Sequence, residues 1–229
     1  MIVDHTNRRV LDVLESREKA VVVKYLCESQ ESGLLAQVTS DMWDGYVEAA
    51  REVFGPSVTL TIDRFHVMKN WQDRLTAARR EIQHDLPTSE ARELKGSRWL
   101  WLTNPENLAE EQRQRLTELK SQFPRLAQLA DQREALRQLF DDRSLTTAAA
   151  GSARLTDWLT AARALGLTAL IKFCDTLERW QDKIANYFVS RSSNGLRTIL
   201  RRTFGMLNFH NFRLRVLDRF GKPQPQEST

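Results

Sequence analysis

Two short segments of strand character, LLAQVTS and SVTLTI, lead directly into aspartates, Asp41 and Asp63. Carboxylates at the C-terminal ends of neighbouring strands face one crevice, the place where an open α/β sheet binds its ligands. Hard carboxylate oxygens suit Mg2+ or Mn2+, and magnesium sites combine few protein ligands with the oxygens of substrate phosphates. Nucleases and strand-transfer enzymes use such carboxylates to hold two ions on either side of a scissile phosphate. The structural alternative is an aspartate that caps the following helix, a role open to both Asp41 and Asp44. A second feature is Asp63-Arg64-Phe65-His66. An Asp and a His three residues apart either share a metal or hydrogen-bond to steady a strand-to-helix turn, and the second is the favoured reading. Zinc is disfavoured, because no Cys or His stands at ligand spacing. The residues alone leave open a small metal-dependent phosphohydrolase built on Asp41, Asp63 and His66.

Positive charge is the other chemical signal. The formal net charge is only +4, but Arg191 to Arg219 holds seven arginines against one acid, Asp218. Arginine stays charged and pairs bidentately with phosphate, so such a segment suits a polyanion. A solvated helix face with surplus charge is the plain alternative. Trp99 and Trp101 could stack on bases, although at this spacing in a helical region tryptophans more often pack in a core. No glycine-rich phosphate loop, Gly-x-Ser-x-Gly elbow or Cys-x-x-Cys pair occurs.

The elements that must position these residues follow from periodicity. Val10–Leu14 after the turn-like HTNR reads as the second arm of a hairpin. Ser16 is placed to cap a helix running to about Ser29. Asp44 to Phe54 has helical spacing, with Tyr46, Ala49, Ala50 and Val53 on one side, and GPS ends it. After Asp63 a helix carries Val67, Trp71, Leu75 and Ala78 at helical intervals. From about Leu86 to Tyr187 the chain reads as all helical, with one helix starting at Asn104-Pro105 and another divided from it by Pro124. GSARLTDWL and ALGLTALIKF read as two more. Apolar residues at 41% and charged residues at 28% describe an ordinary globular protein. No apolar run approaches the roughly 20 residues that span a bilayer, and MIVDHTNRRV lacks a signal pattern. With two isolated cysteines, Cys27 and Cys174, the chain is expected to be cytoplasmic, with no membrane partner.

Taken together, TSDMWDGYVEAA and the strand ending in IDRFHVMKNWQDRLTAARRE resemble the ISL-three group of bacterial insertion-sequence transposases. KGSRWLWLTNPENL is similar to the opening of that group's helical insertion. WQDKIANYFVSRSSNG and LRRTFGMLNFHNFRLRVL are similar to its closing segment. The resemblance covers nearly the whole chain, and its specificity lies in the ordered set rather than in any one motif. It implies an α/β fold with an RNase H-like sheet, interrupted by a long all-helical insertion. It also implies a DDE site, in which two aspartates and a glutamate bind two divalent ions, Mg2+ or Mn2+, and cut and rejoin DNA. By position, Asp41 matches the second catalytic aspartate and a metal ligand, while Asp63 and His66 match the nearby D-x-x-H motif. Lys69, Arg79, Arg80, Arg191, Arg197, Arg201 and Arg202 are the candidate DNA contacts.

Measured against the family pattern, two ligands are missing. The first aspartate lies on a strand that would precede MIVDHTNRRVLDVLESR, so Asp4 does not match it. Gly195 runs straight into Leu196-Arg197-Thr198-Ile199, where the family has a Glu-Gly stretch. The expectation is therefore a sheet lacking its first strand in a transposase remnant without catalytic activity. A non-catalytic DNA-binding regulator that pairs with intact transposase chains, or with itself, is the alternative. DNA is the expected partner and no small-molecule substrate is expected. The expected division is residues 1–85 as the first part of the core, 86–187 as the helical insertion and 188–229 as the basic closing segment.

Overall fold

A computed structural model describes residues 1–7, 9–29, 36–191 and 208–222. They fall into two compact units, residues 1–63 with 192–229, and residues 64–191.

The first unit carries the described strands. β1 (Ile2–Asp4) and β2 (Arg9–Asp12) form an antiparallel hairpin. Its turn is closed by Asp4, whose carboxylate accepts from the Asn7 backbone N–H at 3.0 Å and the Asn7 amide at 2.6 Å. α1 (Lys19–Glu28) follows. The Ser16 hydroxyl accepts from the Glu18 N–H at 3.1 Å and so shapes the approach, but the N-cap position itself is Glu18, two residues later. β3 (Gln37–Ser40), α2 (Asp44–Phe54) and β4 (Thr59–Ile62) then form a βαβ unit with parallel strands. Gly55, at φ 75°, ends α2 where a side chain would be strained. Val38, Val47, Ala50, Phe54, Val58 and Leu60 pack α2 onto this pair. Lys19 bridges Glu48 at 3.3 Å and Glu52 at 3.0 Å, tying α1 to α2.

The strands do not form one sheet. β1 pairs with β2 and β3 with β4, giving two separate two-stranded sheets among the described residues. The last helix of the described chain, α11 (Phe209–Phe220), covers the hairpin. Val216 joins Val10 and Val13 in a buried cluster flanked by Phe209 and Phe212. Arg213 grips Asp12 bidentately at 2.6 and 2.9 Å. Part of the basic segment thus anchors the hairpin.

The second unit is helical throughout its described elements: α3 (Arg64–His84), α4 (Thr88–Glu93), α5 (Arg98–Leu102), α6 (Glu110–Gln122), α7 (Pro124–Asp141), α8 (Ala148–Arg163), α9 (Thr168–Arg179) and α10 (Gln181–Ser190). The helical stripe on α3 is buried as its period requires, with Val67, Trp71, Leu75 and Ala78 all inside. It packs against α7 and α9, within the compact unit of residues 64–191. Pro124 stands at the first position of α7, where its missing N–H is harmless. Asn104-Pro105, by contrast, opens only a short 3-10 turn over Pro105–Asn107, and α6 starts later, at Glu110. The Asn104 side-chain Oδ1 accepts from the Arg133 guanidinium and makes no capping bond to the turn. Cys174 is buried and its thiol is pushed up to about 11 by burial, whereas Cys27 is exposed.

One cap in this unit comes from another helix. The Glu81 carboxylate of α3 accepts from the N–H groups of Thr168 and Ala169, at 2.9 and 3.3 Å, at the start of α9. Those bonds hold its carboxyl below the usual range. Glu81→Ala is therefore expected to cost about 1 kcal/mol of stability. A depressed folded pKa stabilises above the ordinary carboxylate range and is lost as pH falls through the folded value. Urea melts at neutral and acidic pH check both points, the difference between variants shrinking at low pH.

Candidate active site

Asp41 and Asp63 occupy equivalent places in the βαβ unit. The parallel register pairs Ser40 with Ile62, so the two aspartates are the next residues of adjacent strands. The Asp63 N–H donates to the Ser40 carbonyl at 2.9 Å, extending the ladder by one bond. β4 is the more deeply buried strand, and Asp63 is fully buried behind it, at 0% exposure. Asp41 is half-buried, yet its Oδ1 is inaccessible and has no hydrogen-bond partner. A buried carboxylate oxygen without a donor costs free energy unless a cation or donor meets it.

The backbone at Asp41 is held firmly. Its carbonyl accepts from the Ser40 hydroxyl at 3.0 Å and from the Trp43 N–H at 2.9 Å. Trp43 folds back over Gly45, where a Cβ would lie 2.2 Å from the indole Cη2. Its ring meets Tyr46 edge-on at 4.6 Å. The Arg17 guanidinium carbon lies 4.6 Å from the Trp43 ring centre and 5.9 Å from that of Tyr46. Burial raises the Tyr46 hydroxyl pKa, Asp41 adds to the rise and Arg17 opposes it. The motif around Asp41 is thus a packed aromatic corner with a carboxylate and a guanidinium beside it.

A family model described as Transposase, the DDE transposase family of the ISL-three type, matches residues 1–216. The chain belongs to this transposase family. No match to it was found among curated proteins or among solved structures. Its mixed α/β fold, with few strands and long helical stretches, is consistent with the RNase H-like architecture of DDE transposases. Family membership implies action on DNA and a divalent-metal cofactor. No described helix is long and apolar enough to cross a membrane.

The donor set of this transposase fits a hard cation only in part. Asp41 offers an unpartnered carboxylate oxygen, the donor Mg2+ and Mn2+ prefer. Among the described residues, however, no group of three His, Cys, Asp or Glu side chains could hold a metal ion. His66 lies in the first turn of α3, its ring edge-on to Phe65 at 5.1 Å.

The candidate DNA contacts separate into different kinds. Arg191 caps α10 with φ 53° and donates to the carbonyls of Phe140 at 3.2 Å, Asp142 at 2.7 Å and Leu145. Its guanidinium is committed to closing the helical unit. Arg197, Arg201 and Arg202, like the Gly195–Leu196 junction, lie outside the described residues. Lys69 is exposed on α3. Arg79 and Arg80 stand together on α3, joined by Arg98 of α5, whose Nη2 lies 3.5 Å from the Thr76 hydroxyl. Burial, then Arg80 and Arg98, lower the Arg79 pKa, so the three cations crowd one another. Arg98 stacks on Trp99 at 4.6 Å, and Trp99 is 66% exposed while Trp101 is buried. Arg98 is not among the sequence-predicted contacts, and only its adjacency to Trp99 marks it in the sequence.

Proposed function

We propose that Asp41 is a divalent-metal ligand of this transposase and that the chain as it stands binds DNA without cutting it. The single observation that carries this is the buried, unpartnered Oδ1 of Asp41 at the C-terminal end of a parallel strand. Asp63, fully buried on the neighbouring strand, has the position of a supporting residue. A bound Mg2+ or Mn2+ ion supplies charge stabilisation at a scissile phosphate. One carboxylate seldom holds two such ions against water, because each keeps several oxygen ligands.

The non-cutting part of the reading rests on the third ligand: the family's glutamate has no counterpart between Asp182 and Asp218. On the DNA side, Arg79, Arg80 and Arg98, with exposed Lys69 and Trp99, form the phosphate-binding surface. No carboxylate pairs with Arg79, Arg80 or Arg98 among the described residues, which favours a polyanion as their partner. A chain that binds DNA but does not cut it has the properties of a regulator of intact transposase chains.

Manganese binding followed by electron paramagnetic resonance is the direct test. The wild type is expected to bind Mn2+ weakly, and Asp41→Asn to lose at least tenfold in affinity. Equal binding by both proteins removes Asp41 as a ligand. Element-end DNA incubated with Mn2+ should remain uncut; nicking by the wild type that Asp41→Ala abolishes would overturn the inactive reading.

A further inference from the structure

We propose that Arg17 is a phosphate-positioning residue of the Asp41 site, holding a DNA phosphodiester beside the ion that Asp41 binds. This rests on the reading of Asp41 as a metal ligand, but its own evidence is separate. Arg17 comes from the connection between β2 and α1, a different segment from the Asp41–Tyr46 corner. It is exposed, and its guanidinium lies over Trp43 and next to Tyr46. Among the described residues Arg17 makes no ion pair, and Glu48 and Glu52 of α2 are both taken by Lys19. Asp41 and Arg17 act with opposite sign on the same Tyr46 phenol, and the Arg17 guanidinium carbon lies 5.9 Å from its ring centre.

The platform beneath Arg17 is built rather than incidental. Gly45 leaves room for the Trp43 indole to fold back, and the Trp43 N–H is bonded to the Asp41 carbonyl. The aromatic face that carries the guanidinium is therefore tied to the residue that carries the metal-binding carboxylate. A guanidinium stacked on a ring keeps its in-plane N–H groups available for a second partner. A phosphate accepts two such N–H groups in parallel, and stacking removes part of the rotamer freedom that binding would otherwise cost. The chemistry matched here is a negatively charged diester that also meets a cation held by Asp41. Lysine in place of Arg17 would keep the charge and lose the planar fork.

The test uses the full chain and a short DNA duplex, with affinity measured by fluorescence anisotropy across a salt series in EDTA and again with Mn2+. Arg17→Gln is expected to weaken binding about tenfold at low salt and to make the salt slope shallower by about 0.9, the loss of one phosphate contact. Arg17→Lys should keep the slope and lose part of the affinity. DNA should change the Trp43 emission, taken as the difference between wild type and Trp43→Phe, and that change should vanish in Arg17→Gln. An unchanged slope and affinity in Arg17→Gln overturns the proposal. So does a lower melting temperature with an unaltered slope, which would mark the contact as structural packing alone. Because the slope is read in EDTA, it stands apart from the Asp41 reading, which fails only if Asp41→Asn binds Mn2+ like the wild type.

Discussion

Trp71→Ala is expected to destabilise the helical unit by about 3–5 kcal/mol, the largest loss from any single substitution considered. Trp71 is fully buried on α3 and holds aromatic rings from two other helices. Trp158 of α8 meets it edge-on at 5.6 Å, and Phe173 of α9 lies 5.0 Å away. Removing the indole strips both rings of a neighbour and leaves a cavity that three helices would have to collapse to fill. Trp71→Phe makes an informative contrast. The Trp71 Nε1–H is buried without a partner, so phenylalanine gives up area but also removes an unsatisfied donor. Its cost should stay below about 2 kcal/mol. Denaturant melts followed by far-ultraviolet circular dichroism measure both variants. Equal losses for the two would mean that the N–H is satisfied in solution, or that the ring contacts contribute little.

The second large effect is expected at the arginine cluster of α3 and α5. Replacing Arg79, Arg80 and Arg98 together with glutamine should weaken duplex binding at low salt on the order of 10- to 100-fold and flatten the salt slope by about 2–3. Stability should move the other way at one of these positions. Arg79 is half-buried beside a small cavity lined by Leu75, Trp101, Leu126 and Leu129, and its Nε has no partner. Gln83 receives one of its other donors at 3.0 Å. A charge kept there against burial and two neighbouring cations is a local cost, and Arg79→Met should remove it. The expected result is a protein that melts higher and binds DNA more weakly. A melting point that falls, with DNA affinity unchanged, would show that Arg79 is a packing residue.

The placement of the candidate aspartates was legible because it is local. The strand character of LLAQVTS and SVTLTI puts Asp41 and Asp63 at strand ends without reference to the rest of the chain. The helical period through Val67, Trp71, Leu75 and Ala78 likewise names a buried face before any partner is known. Asn104 shows where this stops: its side chain is of a capping type, but Arg133, far along the chain, takes it first.

The amino-acid sequence by itself determined the family, the order of the elements and the placement of Asp41 and Asp63 at strand ends. Those depend on short-range periodicity and on motifs in fixed order. Only the tertiary structure decided which charges have partners. Arg191 closes the C-terminal end of α10 on three carbonyls, Arg213 holds the hairpin through Asp12, and Arg79 is left without a carboxylate. All three are arginines in helical or basic sequence and look alike there. What separates them is the set of neighbours that packing delivers, and a buried or crowded cation is defined by those neighbours rather than by its own residue type.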